Sequence, residues 1–216
     1  MSSKGRRVRD KWRAKAWFSV YSPPYFGEVE LGDIPANEGK ALLGRSVQTS
    51  LYDVTKDPSH MNIVITFQIT DVQGNKARTI FKGHEYARDY LRTLIRRGSK
   101  RVDGIFNVKT KDGYGLRLSV LACTLRRINS AQGSAIRRIM GKILEERSQV
   151  LNFEQLVQEA VVGKLASDIY NEAKKIAPLR HVGISKSKLL FTPALEAKVE
   201  ETPKEQVPPK GNPLIP

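Results

Sequence analysis

The residues that could do catalytic or metal chemistry are scattered along this chain. The three histidines, His60, His84 and His181, lie far apart, and the chain contains neither a Cys-x-x-Cys nor a His-Glu-x-x-His spacing. Ser185–Lys188 matches the Ser-x-x-Lys nucleophile pattern, but its companion sequences Ser-Asp-Asn and Lys-Thr-Gly are absent. We therefore predict that the protein is not an enzyme and has no catalytic residue, no metal site and no cofactor.

Lysine and arginine, in contrast, are abundant and concentrated. The net charge is +15, and residues 76–101 hold nine cations against Glu85 and Asp89. Residues 174–188 hold five cations and no acid, whereas residues 28–39 hold four acids and no base. Such segregation predicts one basic side for phosphates and one neutral or acidic side for water or protein. Nucleic acid is the expected partner, because an arginine fork can grip a phosphate and stack on a base.

The predicted RNA-binding residues are the clustered cations and one tryptophan. Seven cations fall within the first seventeen residues, mostly at odd positions, which indicates an extended basic arm. Trp12 lies among them and is predicted to stack on a base or sugar, whereas Trp17, beside Phe18 at a strand start, is predicted to lie in the core. The full set is Lys4, Arg6, Arg7, Arg9, Lys11, Trp12, Arg13, Lys15, Arg88, Arg92, Arg96, Arg97, Lys100, Arg101, Arg126, Arg127, Arg137, Arg138, Arg180, Lys186 and Lys188.

The elements that must position these residues begin with strands. Alternating apolar residues and turn sequences predict two hairpins, one turning at Gly74 and one at residues 111–115. The pattern favours an antiparallel barrel or sandwich. The predicted strands are Trp17–Ser22, Ser46–Val54, Ile63–Thr70, Lys76–Lys82, Ile105–Thr110, Leu116–Ile128 and Arg180–Phe191.

Helical periodicity predicts about four helices beside this core. The first would carry Arg88, Arg92 and Arg96 on one edge and end at Gly98. Asn152 and Gln155 are predicted to cap the third. The predicted helices are Glu85–Arg97, Ala135–Ser148, a segment from about Asn152 to Val162, and Lys164–Ala177.

The predicted fold class is α+β, an antiparallel β-barrel-like core flanked by about four helices. We expect a basic arm at residues 1–16, a single body at 17–191 and a proline-rich, disordered tail at 192–216. Within the body, residues 17–128 are predicted to be β-rich, 130–177 helical and 180–191 a final strand.

The longest apolar run, Val120–Cys123, is far too short to cross a membrane, so no membrane partner is predicted. The N-terminus lacks the apolar core of a signal peptide, and the single cysteine, Cys123, excludes an intrachain disulfide, which together favour the cytoplasm.

One segment carries a family resemblance. Residues 44–53, Gly-Arg-Ser-Val-Gln-Thr-Ser-Leu-Tyr-Asp, are similar to the signature of the S1e (S3Ae) ribosomal protein family of archaea and eukaryotes. The similarity extends over about residues 4–191, and the length and short tail resemble archaeal members. Further segments that agree in order are Lys11-Trp12 through Trp17-Phe18, Gly83–Glu85, Arg88–Leu91, Lys111–Tyr114, Ile136–Met140 and Pro178–Arg180.

The resemblance implies a structural constituent of the small (30S) ribosomal subunit, located in the cytoplasm on the ribosome. It implies binding to small-subunit ribosomal RNA on the platform near the messenger exit. The implied partners are that RNA, neighbouring platform ribosomal proteins and mRNA near the exit. An alternative is a protein-interaction module whose helical surfaces at residues 151–177 recruit a translation factor or a neighbouring ribosomal protein.

Overall fold

The computed structural model describes Trp12 and residues 15–193 of the chain. Within these residues the chain forms eight strands and five α-helices. The strands are β1 (Ala16–Tyr21), β2 (Glu30–Ala36), β3 (Ser46–Ser50), β4 (Ile63–Gln73), β5 (Lys76–Tyr86), β6 (Arg101–Lys109), β7 (Gly115–Thr124) and β8 (Leu179–Phe191). The helices are α1 (Leu51–Thr55), α2 (Arg88–Leu94), α3 (Ser130–Val150), α4 (Phe153–Val162) and α5 (Lys164–Ala173).

All eight strands belong to one mixed sheet that branches at β5. The main path runs β2-β1-β5-β8-β7-β6, and β4 pairs with β5 and with β3. β5 pairs with β4 along most of its length; on its other side it pairs with β1 through Lys76–Arg78 and with β8 through Gly83–Glu85. The predicted α+β class is confirmed. The sheet is open rather than closed into a barrel, because β2 and β6 each pair on one side only.

One face of the sheet is covered by α3, α4 and α5. Strand β4 alternates buried Ile65, Phe67 and Ile69 with more exposed residues, so only one of its faces is fully apolar. On α3, Ile136, Met140 and Leu144 recur every four residues and are completely buried. Ile136, Met140 and Leu144 share one hydrophobic cluster with residues of β4–β8 and of α1, α4 and α5, which fixes the helical layer on that face.

Strand β7 is buried on both faces near its end. Leu116, Leu118 and Val120 enter the main cluster, whereas Leu121 and Cys123 pack with Leu94 of α2 on the opposite face. Cys123 is a free, buried thiol whose pKa burial raises. Helix α2 therefore covers only the last part of the second face of β7.

The first predicted helix is wrong at both ends. Strand β5 continues to Tyr86, because Val64 and Lys186 on the neighbouring strands pair with Glu85. Helix α2 then ends at Leu94, so Arg96 lies outside it and does not extend the edge formed by Arg88 and Arg92.

Two other local predictions are corrected near the N-terminal half. The strand predicted at Ser46–Val54 ends at Ser50, where the Ser50 hydroxyl accepts a hydrogen bond from the Tyr52 amide and caps α1. Strand β2 was not predicted, because its acids and Pro35 are poor strand formers. Its position at the sheet edge explains why proline is tolerated there.

The later helices also differ in their ends. Helix α3 begins at Ser130, earlier than predicted, and the Gln132 side chain accepts a hydrogen bond from the Asn129 amide. Asn152 is the N-cap residue of α4, but the capping acceptor is Asp112, whose Oδ2 lies 2.9 Å from the Phe153 amide. Helix α5 ends at Ala173 rather than Ala177.

The two tryptophans are both on the surface. Trp12 is 60% exposed and Trp17 is 54% exposed, so the prediction that Trp17 lies in the core is wrong.

In the described part of the chain, no helix is long and apolar enough to cross a membrane. The same residues contain no group of three His, Cys, Asp or Glu that could hold a metal ion.

A buried histidine joins β5 to β8. His84 Nε2 donates to the Ile184 carbonyl at 3.0 Å, while the Ser187 hydroxyl lies 2.6 Å from Nδ1 and 3.0 Å from the His84 amide. The hydroxyl accepts from the amide and donates to Nδ1, so the neutral ring satisfies both nitrogens. Burial lowers the pKa of His84 to about 4.

Because the pKa of His84 is lowered in the folded protein, we expect the protein to lose stability in acid. The unfolded side chain takes up a proton near its ordinary pKa of 6.5, whereas the folded one does so only near 4, so stability falls as pH drops through this window. The free energy of unfolding should fall by on the order of 3 kcal/mol between pH 7 and 4, measured by urea titration.

The matched variant is His84→Gln, which removes the titration and should flatten this dependence. His181, whose pKa burial also lowers, contributes in the same direction and remains in both chains. Equal acid sensitivity of the two chains would contradict the role assigned to His84.

Candidate nucleic-acid interface

Among the residues that the structure describes, none covers part of the second face of the sheet beyond α2. In β7, Arg117 lies between buried Leu116 and Leu118 and is exposed, so it projects from the face opposite the helical layer. Cross-strand pairing aligns Arg117 with Lys188 of β8 and Asn107 of β6. The next row contains Lys186, Ser119 and Ile105. We call Lys109, Arg117, Lys186 and Lys188 the open-face cations.

The open-face cations differ in how far their charge is already compensated. Lys186 lies 2.9 Å from the Glu85 carboxylate, a surface ion pair. Arg117 Nε donates to the neutral Asn107 side chain at 2.9 Å and, within residues 15–193, forms no ion pair. The Asn107 contact orients the guanidinium and leaves its terminal nitrogens able to grip a phosphate. Lys109 has its ammonium 5.6 Å from the Phe191 ring centroid.

A second group of cations lies at one end of the same strands. The Lys100 amide donates to Thr124 Oγ1 at 2.9 Å, and the Thr124 amide donates to the Lys100 carbonyl at 3.0 Å. The Leu125 amide donates to the Pro178 carbonyl at 3.0 Å. These bonds join three loops that are distant in sequence. We call the cations in these loops and at the adjoining strand ends the loop cluster: Arg96, Arg97, Lys100, Arg101, Arg126, Arg127 and Arg180.

Most of the loop cluster is available to a ligand. Arg96, Arg97, Arg126 and Arg127 are exposed. The Lys100 ammonium instead donates to the Ile128 carbonyl at 3.3 Å, and Arg101 lies 2.8 Å from Asp103. Those two cations are partly occupied by contacts within the protein.

Apart from Arg96 and Arg97 of the loop cluster, the cations predicted on helices lie on α2 and α3. On α2, Arg88 and Arg92 are exposed on the side away from Tyr90 and Leu94, and Arg92 lies 3.8 Å from Asp89. On α3, Arg138 is exposed, whereas Arg137 Nε donates to the Asp103 carbonyl at 2.9 Å. Arg137 therefore connects α3 to the edge strand β6.

Part of the predicted arm lies outside the described residues. Within the described part, the Lys15 ammonium lies 3.9 Å from the centroid of the Trp12 ring. The predicted cations Lys4, Arg6, Arg7, Arg9, Lys11 and Arg13 are outside it, as is the tail after residue 193.

Three residues of the open face were missing from the predicted set. Arg117, Asn107 and Lys109 became candidates only once β6, β7 and β8 were seen side by side. The alternation of Leu116, Leu118 and Val120 could have identified Arg117, because the residues between them must face the other way.

The acidic segment lies far from these cations along the sheet. Glu30 and Asp33 belong to β2, the edge strand at the opposite end of the path from β6. Asp33 Oδ1 accepts a hydrogen bond from the Ser19 hydroxyl at 2.7 Å. The open-face cations and the loop cluster are thus separated in space from the acids of β2, whereas Lys76 and Arg78 of the basic segment lie one strand away from those acids, across β1.

Comparisons with known proteins agree with the resemblance carried by residues 44–53. The model of the ribosomal S3Ae family matches residues 3–193. A Staphylothermus marinus protein named small ribosomal subunit protein eS1 is 48% identical over 189 residues, 88% of this chain and 89% of the relative. A Sulfurisphaera tokodaii protein of that name is 46% identical over 194 residues, 90% of this chain and 100% of the relative. The chain belongs to the ribosomal S3Ae family.

Proposed function

We propose that this protein is a structural constituent of the small ribosomal subunit and binds small-subunit ribosomal RNA through the loop cluster and the open-face cations. The observation that carries the proposal is the match of residues 3–193 to a ribosomal family whose relatives bear the name small ribosomal subunit protein eS1. The spatial concentration of cations on one end and face of the sheet supports the same assignment.

RNA would be recognised mainly through its backbone. Exposed arginines such as Arg117, Arg126 and Arg127 offer forked donors to phosphate oxygens, and phosphate contacts position a protein on RNA without reading its base sequence. Double-stranded RNA exposes phosphates and 2′-hydroxyls on a shallow minor groove, so shape and charge decide such contacts. The basic arm at residues 1–16 would follow the RNA and extend this contact.

The finer placement follows from the family resemblance. We place the protein on the platform near the messenger exit, in the cytoplasm on the ribosome, with neighbouring ribosomal proteins as partners and no catalytic role. Residues 17–191 would form the folded body and residues 192–216 an appended tail.

A protein-binding role for the helical region has its own support. Val150 and Val162 are 72% and 57% exposed, large fractions for apolar side chains on adjacent helices. Val162 lines a cleft of about 770 Å³ together with Tyr25, Phe26 and Leu151 among others. This surface fits a neighbouring ribosomal protein or a translation factor better than RNA, because it is apolar.

The proposal is tested by fractionating a lysate on sucrose gradients in low and high salt and following the protein by mass spectrometry. We expect co-sedimentation with the small subunit that survives high salt, because an integral constituent is held by many simultaneous contacts. Recovery only in the soluble fractions would refute the proposal.

A further inference from the structure

A second cleft borders the loop cluster, with which it shares Arg180, and its remaining lining plays no part in the RNA-binding surface proposed above. It lies among the end of β5, helix α2, the start of β8 and the junction of α4 with α5, and its volume is about 630 Å³. This volume falls within the range of roughly 300–1,000 Å³ typical of small-molecule sites.

Several aromatic rings lie in the walls of the cleft. Tyr86 and Tyr90 have ring centroids 5.5 Å apart, and the Tyr90 ring meets the His181 ring edge-on at 6.1 Å. Tyr170 enters the lining from α5. Each of these four side chains is partly buried, so its ring is held by the fold while part of its surface stays accessible. Held aromatic rings are the surfaces on which unpaired bases stack.

The polar groups of the cleft favour an anionic ligand. Arg180 lines it and no Asp or Glu does. The amides of Asn62 and Asn171 also line it and offer both donors and acceptors. His181 Nε2 is buried and, among the described residues, has no hydrogen-bond partner. Burial and the nearby Arg180 lower the pKa of His181, so its ring is neutral at pH 7 and can donate or accept.

We propose that this cleft holds one unpaired nucleotide of the ribosomal RNA, with its base against Tyr90 and Tyr170 and its phosphate at Arg180. The inference rests on the proposed function, since it requires RNA on this side of the molecule. Continuity supports it: Arg180 lines the cleft and also belongs to the loop cluster, and the Pro178 carbonyl two residues before it accepts the hydrogen bond from the Leu125 amide beside that cluster. A strand bound along the loop cluster would therefore pass the mouth of the cleft.

The test compares five RNA hairpins with the same stem, one fully paired and four carrying a single bulged A, C, G or U, titrated against the full chain by fluorescence anisotropy. At least one bulged hairpin should bind about tenfold more tightly than the paired one, as expected for stacking of one base. Tyr90→Leu and Tyr170→Leu should each abolish this preference and leave the affinity for the paired hairpin unchanged.

The matched control is Tyr21→Leu, the same chemical change on β1 in the other half of the sheet, which should keep the preference. Two leucine variants on separate helices guard against misfolding of either one, and circular dichroism checks both. Equal binding of all five hairpins, or a preference that survives both cleft variants, would overturn the cleft assignment alone. Failure of every hairpin to bind at low salt would overturn the proposed function with it.

Discussion

Replacing Arg117 and Lys188 together by glutamate should weaken the binding of structured RNA on the order of 100-fold at low salt. Both side chains are exposed in one cross-strand row, so the substitution removes two adjacent cations that we propose bind phosphate and adds two repulsive charges. The slope of log affinity against log salt should fall by about 0.7 to 0.9 for each phosphate that is no longer neutralised. Anisotropy titrations would give both the loss of affinity and the salt slope. They would run from about 50 to 300 mM salt, where counterion release is measurable.

The control for net charge is the double variant Lys56→Glu and Lys164→Glu, which changes the charge by the same amount. Lys56 follows α1 and Lys164 begins α5, and neither belongs to the open face or the loop cluster. We expect this control to lose much less affinity and to keep most of the salt slope. Similar losses in the two double variants would mean that only overall charge matters and that the open face is not a specific RNA-binding surface.

Replacing Gly83 by alanine should destabilise the fold by about 3 kcal/mol, because the new methyl group has no room. A Cβ at this position would lie 2.3 Å from the Ser187 carbonyl oxygen and 3.2 Å from its carbonyl carbon. Both are backbone atoms of β8, so the strand itself must move. That movement would also disturb the hydrogen bonds between His84 and Ser187. Urea unfolding followed by circular dichroism gives the change in free energy.

The control is a second glycine, Gly133, whose replacement by alanine should change the stability in the opposite direction. Gly133 lies inside α3, and a Cβ there would meet only ordinary contacts at 3.9 Å or more, to Val102 and Ile128. Gly133→Ala should therefore stabilise the protein by up to about 1 kcal/mol, since alanine loses less conformational entropy in a helix. A Gly83→Ala variant as stable as the unmodified chain would show that β5 and β8 are not packed as closely as described.

The sequence was most informative where one strong local pattern acted alone. The hairpin of β4 and β5 around Gly74, the hairpin of β6 and β7 around residues 111–115, and the apolar periodicity of α3 were all predicted from spacing. These elements form as expected because the local preference and the buried face agree.

Errors occurred where a neighbouring strand outweighed local periodicity. The residues before Arg88 have a helical pattern, yet Glu85 and Tyr86 pair with Lys186 and Ile63, which lie on strands distant in sequence. A similar competition left β2 unpredicted, since only its partner β1 makes its acidic sequence a strand. Asn152 begins α4 as predicted, but the capping oxygen comes from Asp112, in the turn between β6 and β7.

The family, the α+β class and the excess of cations could all be predicted from the sequence alone, because they depend on residue identities and local spacing. Which cations lie close together depends on the tertiary structure: the loops that carry them meet through hydrogen bonds among Lys100, Thr124, Leu125 and Pro178 that no local pattern specifies. Arg117 and Lys188 become neighbours only through the register of β7 with β8. Register is set by burial of one face of each strand, a property of the whole sheet rather than of any segment.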